Sequence, residues 1–208
     1  MKITDVQAIP LAIPLKPLDP PSAWQTRMRK QVLVRVLTDD GLTGVGEAFA
    51  LGGPLAVSDV IVESLKPMLV GQDPSRIDYL ADLMQRATQN FSRRGIGMFA
   101  ISGIEIALWD LLGKAKGAPL YELLGGAVRP RLRAYVSLVR YDTPERVVAA
   151  CTKFVERGFT MIKLHQTDVE SVRAAREAVG PDVEIMLDTN CPWTPAEARA
   201  MAATQMRP

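Results

Sequence analysis

Between residues 31 and 38 a valine recurs at every second position. Val32, Val34 and Val36 fall on one face, with Leu33, Arg35 and Leu37 on the other. A period of two is the signature of a strand. Asp39-Asp40-Gly41 is a hairpin turn signal, and residues 43–49 return as a second strand. Residues 2–15 are rich in Ile, Leu and Val but carry Pro10 and Pro14, which suits an edge strand. The period then changes to that of helices. Val57, Ile61, Leu65 and Met68 predict a helix over residues 54–69, stopped by Gly71. Ile77, Leu80, Leu83 and Met84 predict another over 74–90, and Ile101, Ile104, Leu108, Leu111 and Leu112 a third over 96–116, with Gly117 just past its end. A three-stranded meander followed by helices is an α+β domain.

From Arg129-Pro130-Arg131 onward strands and helices alternate. The pattern predicts a strand over 133–139. A helix over 144–157 follows, with Val147, Cys151, Phe154 and Val155 inward. Two further strands carry Thr160-Met-Ile-Lys-Leu-His165 and Glu184-Ile-Met-Leu-Asp-Thr-Asn190. Between them lies an amphipathic segment with Val169, Val172, Ala175 and Val179 at helical spacing. Thr194-Pro195 opens a last helix, with threonine as N-cap and proline at the first position. Successive βα units with right-handed crossovers suggest the beginning of a (β/α)8 barrel. The expected organisation is an α+β capping domain over 1–128. A truncated TIM-type barrel of about three βα units follows over 129–208.

The two strands around residues 160–190 hold the candidate chemistry. Lys163 and His165 share one face, as do Asp188 and Asn190. In parallel α/β folds ligands gather at the carboxyl ends of the strands. A candidate base, Lys163 or His165, is thus expected near a candidate metal ligand, Asp188. Each has a quieter reading. Lys163 can cap a strand end in solvent, Asp188 can be a plain loop carboxylate, and His165 a satisfied polar group. Asn190 can close a turn. Gly44-Val45-Gly46 lacks the third glycine of a dinucleotide fingerprint and precedes no helix directly, so it is no phosphate loop.

Composition changes little in this picture. The chain has 208 residues, 48% hydrophobic and 23% charged, with a net charge of +2 and no basic block, so no nucleic-acid surface is expected. Cys151 and Cys191 make no metal or redox spacing and fit a reducing compartment. The N-terminus lacks the apolar core of a signal peptide, and no apolar run reads as long enough to cross a bilayer. The expectation is a cytoplasmic protein with no membrane partner.

Residues 100–125 carry a specific match. The run Ala100-Ile-Ser-Gly-Ile-Glu-Ile-Ala-Leu-Trp-Asp-Leu-Leu-Gly-Lys114, then Pro119-Leu-Tyr-Glu-Leu-Leu-Gly125, resembles the signature of the mandelate racemase/muconate lactonizing enzyme family of the enolase superfamily. The resemblance implies a capping domain over a modified barrel. It also implies abstraction of the proton α to a carboxylate, with Mg²⁺ stabilising the enediolate. Such an intermediate goes on to racemisation, cycloisomerisation or dehydration. A divalent cation in a dry site stabilises such an anion far better than water does.

Carried onto this chain, Lys163 matches the first lysine of the family's Lys-x-Lys motif, and His165 stands where the second lysine, the usual base, would be. Histidine, with an unperturbed pKa of ~6.5, serves as a base at neutral pH without a large shift. The resemblance therefore implies His165 as acid/base and Lys163 as the group orienting the substrate carboxylate. Asp188 matches the first of three metal carboxylates, and Asn190 a residue beside it. By the same resemblance Trp24 and Arg27 fall in the capping loop that in this family typically closes over substrate. Glu105 and Asp110 read as structural hydrogen-bond partners. The implied substrate is a hydroxy or sugar acid, and the implied assembly a homo-oligomer. The other metal ligands would lie on later barrel strands. The expectation is thus a truncated chain, inactive by itself; the alternative is a non-catalytic remnant or oligomerising scaffold.

Overall fold

The computed structural model describes all residues except Trp24, Leu51 and 206–208. The chain divides into two compact units, one formed by 1–14 and 28–130, the other by 15–27 and 131–208.

In the first unit β1 (Ile3–Pro14), β2 (Met28–Thr38) and β3 (Thr43–Ala48) form an antiparallel meander in that order. β2 is central, and its inward Val32, Val34 and Val36 are fully buried. Gly41, at φ 85°, takes the left-handed conformation the β2–β3 turn requires. The Thr38 hydroxyl closes that turn, donating to the Leu42 carbonyl at 2.8 Å. The helices α1 (Pro54–Asp59), α2 (Lys66–Leu69), α3 (Ile77–Thr88), α4 (Ile96–Lys116) and α5 (Leu120–Leu123) follow.

The predicted helix over 54–69 is not uniform, since Val60–Leu65 between α1 and α2 winds as a π-helix. Lys66 donates its N–H to the Ile61 carbonyl five residues back. Pro67, just beyond, has no N–H to continue an α ladder. α3 starts three residues later than expected. The Asp73 carboxylate accepts from both the N–H and the hydroxyl of Ser75, and that local turn occupies the backbone that would have opened the helix.

α4 is the core of the unit and ends where expected, with Gly117 in the left-handed conformation at its C-cap. By length and composition it is apolar enough to cross a membrane, contrary to the reading from sequence. Its Ala100, Ile101, Ile104, Ala107, Leu108 and Leu111 are buried in the same cluster as Val32, Val34 and Val36, as in a core helix. Gly44 and Gly46 explain how closely it packs. A Cβ built on Gly44 would sit 2.0 Å from the Ala107 carbonyl oxygen, and one on Gly46 2.2 Å from that of Gly103. The two strand glycines serve backbone contact, not phosphate. Asp110 accepts from the Val45 N–H at 2.7 Å and from Lys114 at 2.6 Å, which places it as a structural tie.

In the second unit β4 (Val136–Ser137), β5 (Met161–Leu164) and β6 (Glu184–Leu187) form a parallel sheet in that order. α6 (Pro144–Glu156) links the first pair, α7 (Val169–Val179) the second, and α8 (Pro195–Gln205) follows β6. β4 is shorter than the predicted 133–139. Arg133 leaves the ladder, and its guanidinium bonds Glu184 at 2.8 Å and the Thr160 carbonyl at 3.4 Å. Side-chain caps start all three helices, and of these caps Thr194 is the one expected from sequence. Thr143 accepts from Arg146 N–H, Asp168 from Ser171 N–H, and Thr194 exchanges bonds with Glu197 in a capping box. The inward stripe of α7 centres on Ser171 and Ala175, with the valines at its margins. Ile162, Leu164, Val147, Ala150 and Cys151 form the buried centre.

Candidate functional site

The parallel register sets the site. Lys163 pairs with Met186 and Leu164 with Leu187, so His165 and Asp188 leave adjacent strands side by side. The ladder runs one step further, Asp188 N–H donating to the Leu164 carbonyl at 3.0 Å. Ile162 and Leu164 are buried on the opposite face, which turns Lys163 and His165 together away from the core. Four sequence-predicted residues thereby meet.

Lys163 Nζ lies 3.0 Å from Asp188 Oδ2, with the lysine side chain 19% exposed and the aspartate 42%. It also stands 5.8 Å from the centroid of the Tyr135 ring. The Lys163 ammonium, and after it the Asn190 N–H, hold the Asp188 carboxyl below its ordinary value near 3.8. Asp188 is therefore an anion throughout the physiological range.

His165 Nδ1 contacts the Asp188 backbone carbonyl and, at 3.0 Å, the Asn190 side-chain amide. A carbonyl oxygen only accepts, so Nδ1 carries the hydrogen in the neutral ring and Nε2 keeps the lone pair. With Nδ1 a donor, the amide group turned by half a rotation would present its oxygen there. Asn190 and Cys191 both have positive φ, 54° and 56°. Asn190 N–H donates to Asp188 Oδ1 at 3.2 Å. That turn folds the Asn190 side chain back onto the imidazole, and asparagine tolerates the conformation better than most residues.

The groups that hold His165 were not singled out from sequence. Arg140 Nε donates to the His165 carbonyl at 2.9 Å. Gln166, 2% exposed, accepts from Tyr141 N–H at 2.9 Å and donates to the Tyr141 carbonyl at 3.0 Å. Arg140 and Tyr141 lie three and four residues past the end of β4, His165 and Gln166 one and two past the end of β5, so no common offset within the two strands marks the pairing. Arg27 is exposed, and no contact among the described residues joins it to Lys163, His165 or Asp188. Trp24, expected beside it, lies outside the described residues.

Mg²⁺ prefers six oxygen ligands in octahedral geometry. Among the described residues no three His, Cys, Asp or Glu side chains cluster to hold an ion. Asp188 contributes a single carboxylate, already accepting from Lys163. These residues do not by themselves make a magnesium site.

Comparison with known proteins gives this arrangement relatives. The family description "Mandelate racemase / muconate lactonizing enzyme, N-terminal domain" matches residues 4–125, and "Enolase C-terminal domain-like" matches 146–206. The chain is 40% identical over 179 residues to an arabinonate dehydratase of Saccharolobus solfataricus, covering 82% of this chain and 48% of that protein. It is 34% identical over 207 residues to a D-galactarolactone cycloisomerase of Agrobacterium fabrum, covering 95% and 54%. Among solved structures, an enolase-superfamily member from Polaromonas sp. JS666 superposes with a TM-score of 0.87 at 34% identity, over 98% of this chain and 56% of that one. A mandelate racemase/muconate lactonizing protein from Paracoccus denitrificans, complexed with magnesium, superposes with a TM-score of 0.84 at 30% identity, over 98% and 55%. The chain thus spans about half the length of the relatives it matches.

Proposed function

Because the chain belongs to the mandelate racemase/muconate lactonizing enzyme family, we propose that its site removes the proton α to the carboxylate of a hydroxy or sugar acid. The enediolate so formed leads to dehydration, racemisation or cycloisomerisation. The observation that carries this reading is the convergence of Lys163, His165, Asp188 and Asn190 at the carboxyl ends of β5 and β6. His165 Nε2, the lone-pair nitrogen, takes the proton, and Asn190 together with the Asp188 carbonyl orients the ring. Lys163 exchanges its bond to Asp188 for the substrate carboxylate. Asp188 would supply one carboxylate ligand to Mg²⁺, whose remaining ligands the described residues do not provide. The dehydratase and cycloisomerase relatives support a sugar acid as substrate.

The test is solvent deuterium exchange. The protein is incubated in D₂O with Mg²⁺ and a library of hydroxy and sugar acids, and loss of the α-proton is read by NMR. Exchange with at least one acid, lost in His165→Asn, is the expected result. Exchange with none overturns the reading.

A second reading, a scaffold that associates with copies of itself, is favoured by one observation. Among the described residues β4 and β6 each pair on one side only, leaving both edges of the parallel sheet open. Sedimentation velocity tests it, and a compact monomer at all concentrations counts against it.

A further inference from the structure

The loop 15–27 belongs to the second unit, although the chain before and after it belongs to the first. Among the described residues, side-chain contacts with α6 and with the segment after β4 hold it there. Lys153 of α6 reaches the Asp19 carbonyl at 2.7 Å and its carboxylate at 3.0 Å. The Ser22 hydroxyl donates to the backbone carbonyl of Arg140. The same Arg140 sends its Nε to the carbonyl of His165 at 2.9 Å. One residue therefore faces the loop with its backbone and the histidine with its side chain. Beside it, Tyr141 and Gln166 bond each other twice, so the segment after β4 and the segment after β5 are held together at three points. Gln166 and Tyr141 are buried, 2% and 6% exposed, and that pair forms the rigid floor of the connection. Arg140 is its outer member.

We infer that Arg140 is a positioning residue that ties the placement of the loop 15–27 to the orientation of the His165 imidazole. A charge-assisted bond from guanidinium to carbonyl is stronger than a neutral one and has a fixed direction. Held at its carbonyl, His165 has its backbone torsions set from one side and its ring set from the other, by the Asp188 carbonyl and Asn190. A loop drawn away from Arg140 through Ser22 shifts the anchor of the histidine. The catalytic consequence rests on the reading of His165 as the acid/base. The coupling itself does not.

The chain contains a single histidine, so its imidazole resonances report this site without ambiguity. The experiment records them in histidine-labelled protein, wild type and three variants. Arg140→Met fills the stem to the depth of the arginine Nε but removes the donor. Arg140→Gln places an amide N–H at the depth of the arginine Nε and restores it. Ser22→Ala releases the loop side alone. The expected result is that Arg140→Met displaces the imidazole resonances by more than a line width, Arg140→Gln returns them toward wild type, and Ser22→Ala moves them in the same direction by less. Resonances unmoved in Arg140→Met overturn the proposal, as does a displacement in Arg140→Gln equal to that in Arg140→Met. Should Arg140→Met not fold, Ser22→Ala decides, and an unmoved histidine in that variant overturns the coupling. Failure of the functional reading would appear instead in the deuterium exchange of the wild type, on which the spectra do not depend.

Discussion

The two units use their polar residues in opposite ways. In the first, Asp110 sits on the core helix with both its bonds inside the unit, to Val45 N–H and Lys114, and α4 meets β3 backbone to backbone across Gly44 and Gly46. Its sheet face is sealed, with Val32, Val34 and Val36 fully buried. In the second, the strands are two to four residues long, and β6 has no fully buried residue. Lys163, His165, Asp188 and Asn190 bond one another at strand ends where none of them is buried. A satisfied polar group packed onto backbone stabilises a fold. Ionisable groups that share each other's bonds at an open strand end are available to exchange those bonds for a ligand. Substitutions in the first unit should therefore cost stability, and those at the strand ends should cost activity.

The largest effect expected is on catalysis. His165→Asn should reduce deuterium exchange by about 10²–10⁴-fold, the usual contribution of a general base, while the thermal melting midpoint stays that of the wild type. A melting midpoint that falls along with activity would place His165 with the structural groups and dissolve the contrast. Gly46→Ala is the counterpart. The new methyl meets the Gly103 carbonyl oxygen at 2.2 Å, the Ala107 nitrogen at 2.8 Å and the Ile106 Cβ at 3.1 Å, and none of the three can rotate away. A loss of about 3 kcal/mol in urea unfolding is expected, at the upper end of overpacking costs. A loss much below ~1 kcal/mol would show that β3 and α4 can separate, and that the first unit is less tightly specified than its buried face suggests.

The same contrast decides what could be read from sequence. α4 was legible at both ends because its apolar spacing runs without a break until Gly117, which takes the left-handed C-cap conformation. The meander was legible because the valines of β2 alternate strictly. The π-helical stretch Val60–Leu65 was not, since its apolar positions Ile61 and Leu65 fit an ordinary helix equally well. β4 was overestimated because residues 133–135 continue the strand pattern in sequence while Arg133 is drawn off to Glu184 and Thr160. At the site, the face shared by Lys163 and His165 followed from a period of two. That Asp188 would lie against Lys163 needed the parallel pairing as well. Arg140 and Gln166 were illegible because their partners, residues 165 and 141, are fixed by the register between two strands, and no pattern within either strand encodes it.

Within the second unit the contrast recurs between core and strand end, and the thiols read it. Cys151 is fully buried on α6, and burial pushes its thiol up to about 11, whereas Cys191 is exposed next to Asn190. Folded protein should react with a disulfide reagent quickly at one thiol, and at the second only on unfolding. Cys191→Ser should remove the fast phase. A fast reaction of the one thiol left in the folded variant, Cys151, would mean that the α6 core opens on the reaction timescale.

The smallest effect concerns the Lys163–Asp188 pair. The pair is made of partly exposed side chains, and such pairs contribute little to stability. The sign of its pH dependence is nonetheless fixed. Lys163 lowers the folded-state value of the Asp188 carboxyl beneath its ordinary 3.8. Stability from that bond is therefore present above 3.8 and is lost as the pH falls through the lower, folded value. Asp188→Asn should accordingly lower the melting midpoint only slightly at neutral pH, far less than Gly46→Ala, and the difference from wild type should vanish in acid below the folded value. A large neutral-pH loss would mean that the pair supports the fold in the manner of Asp110, and the strand ends would then have to be counted with the scaffold. A small one leaves the pair free to be broken, which a lysine destined for a substrate carboxylate and an aspartate destined for a metal both require.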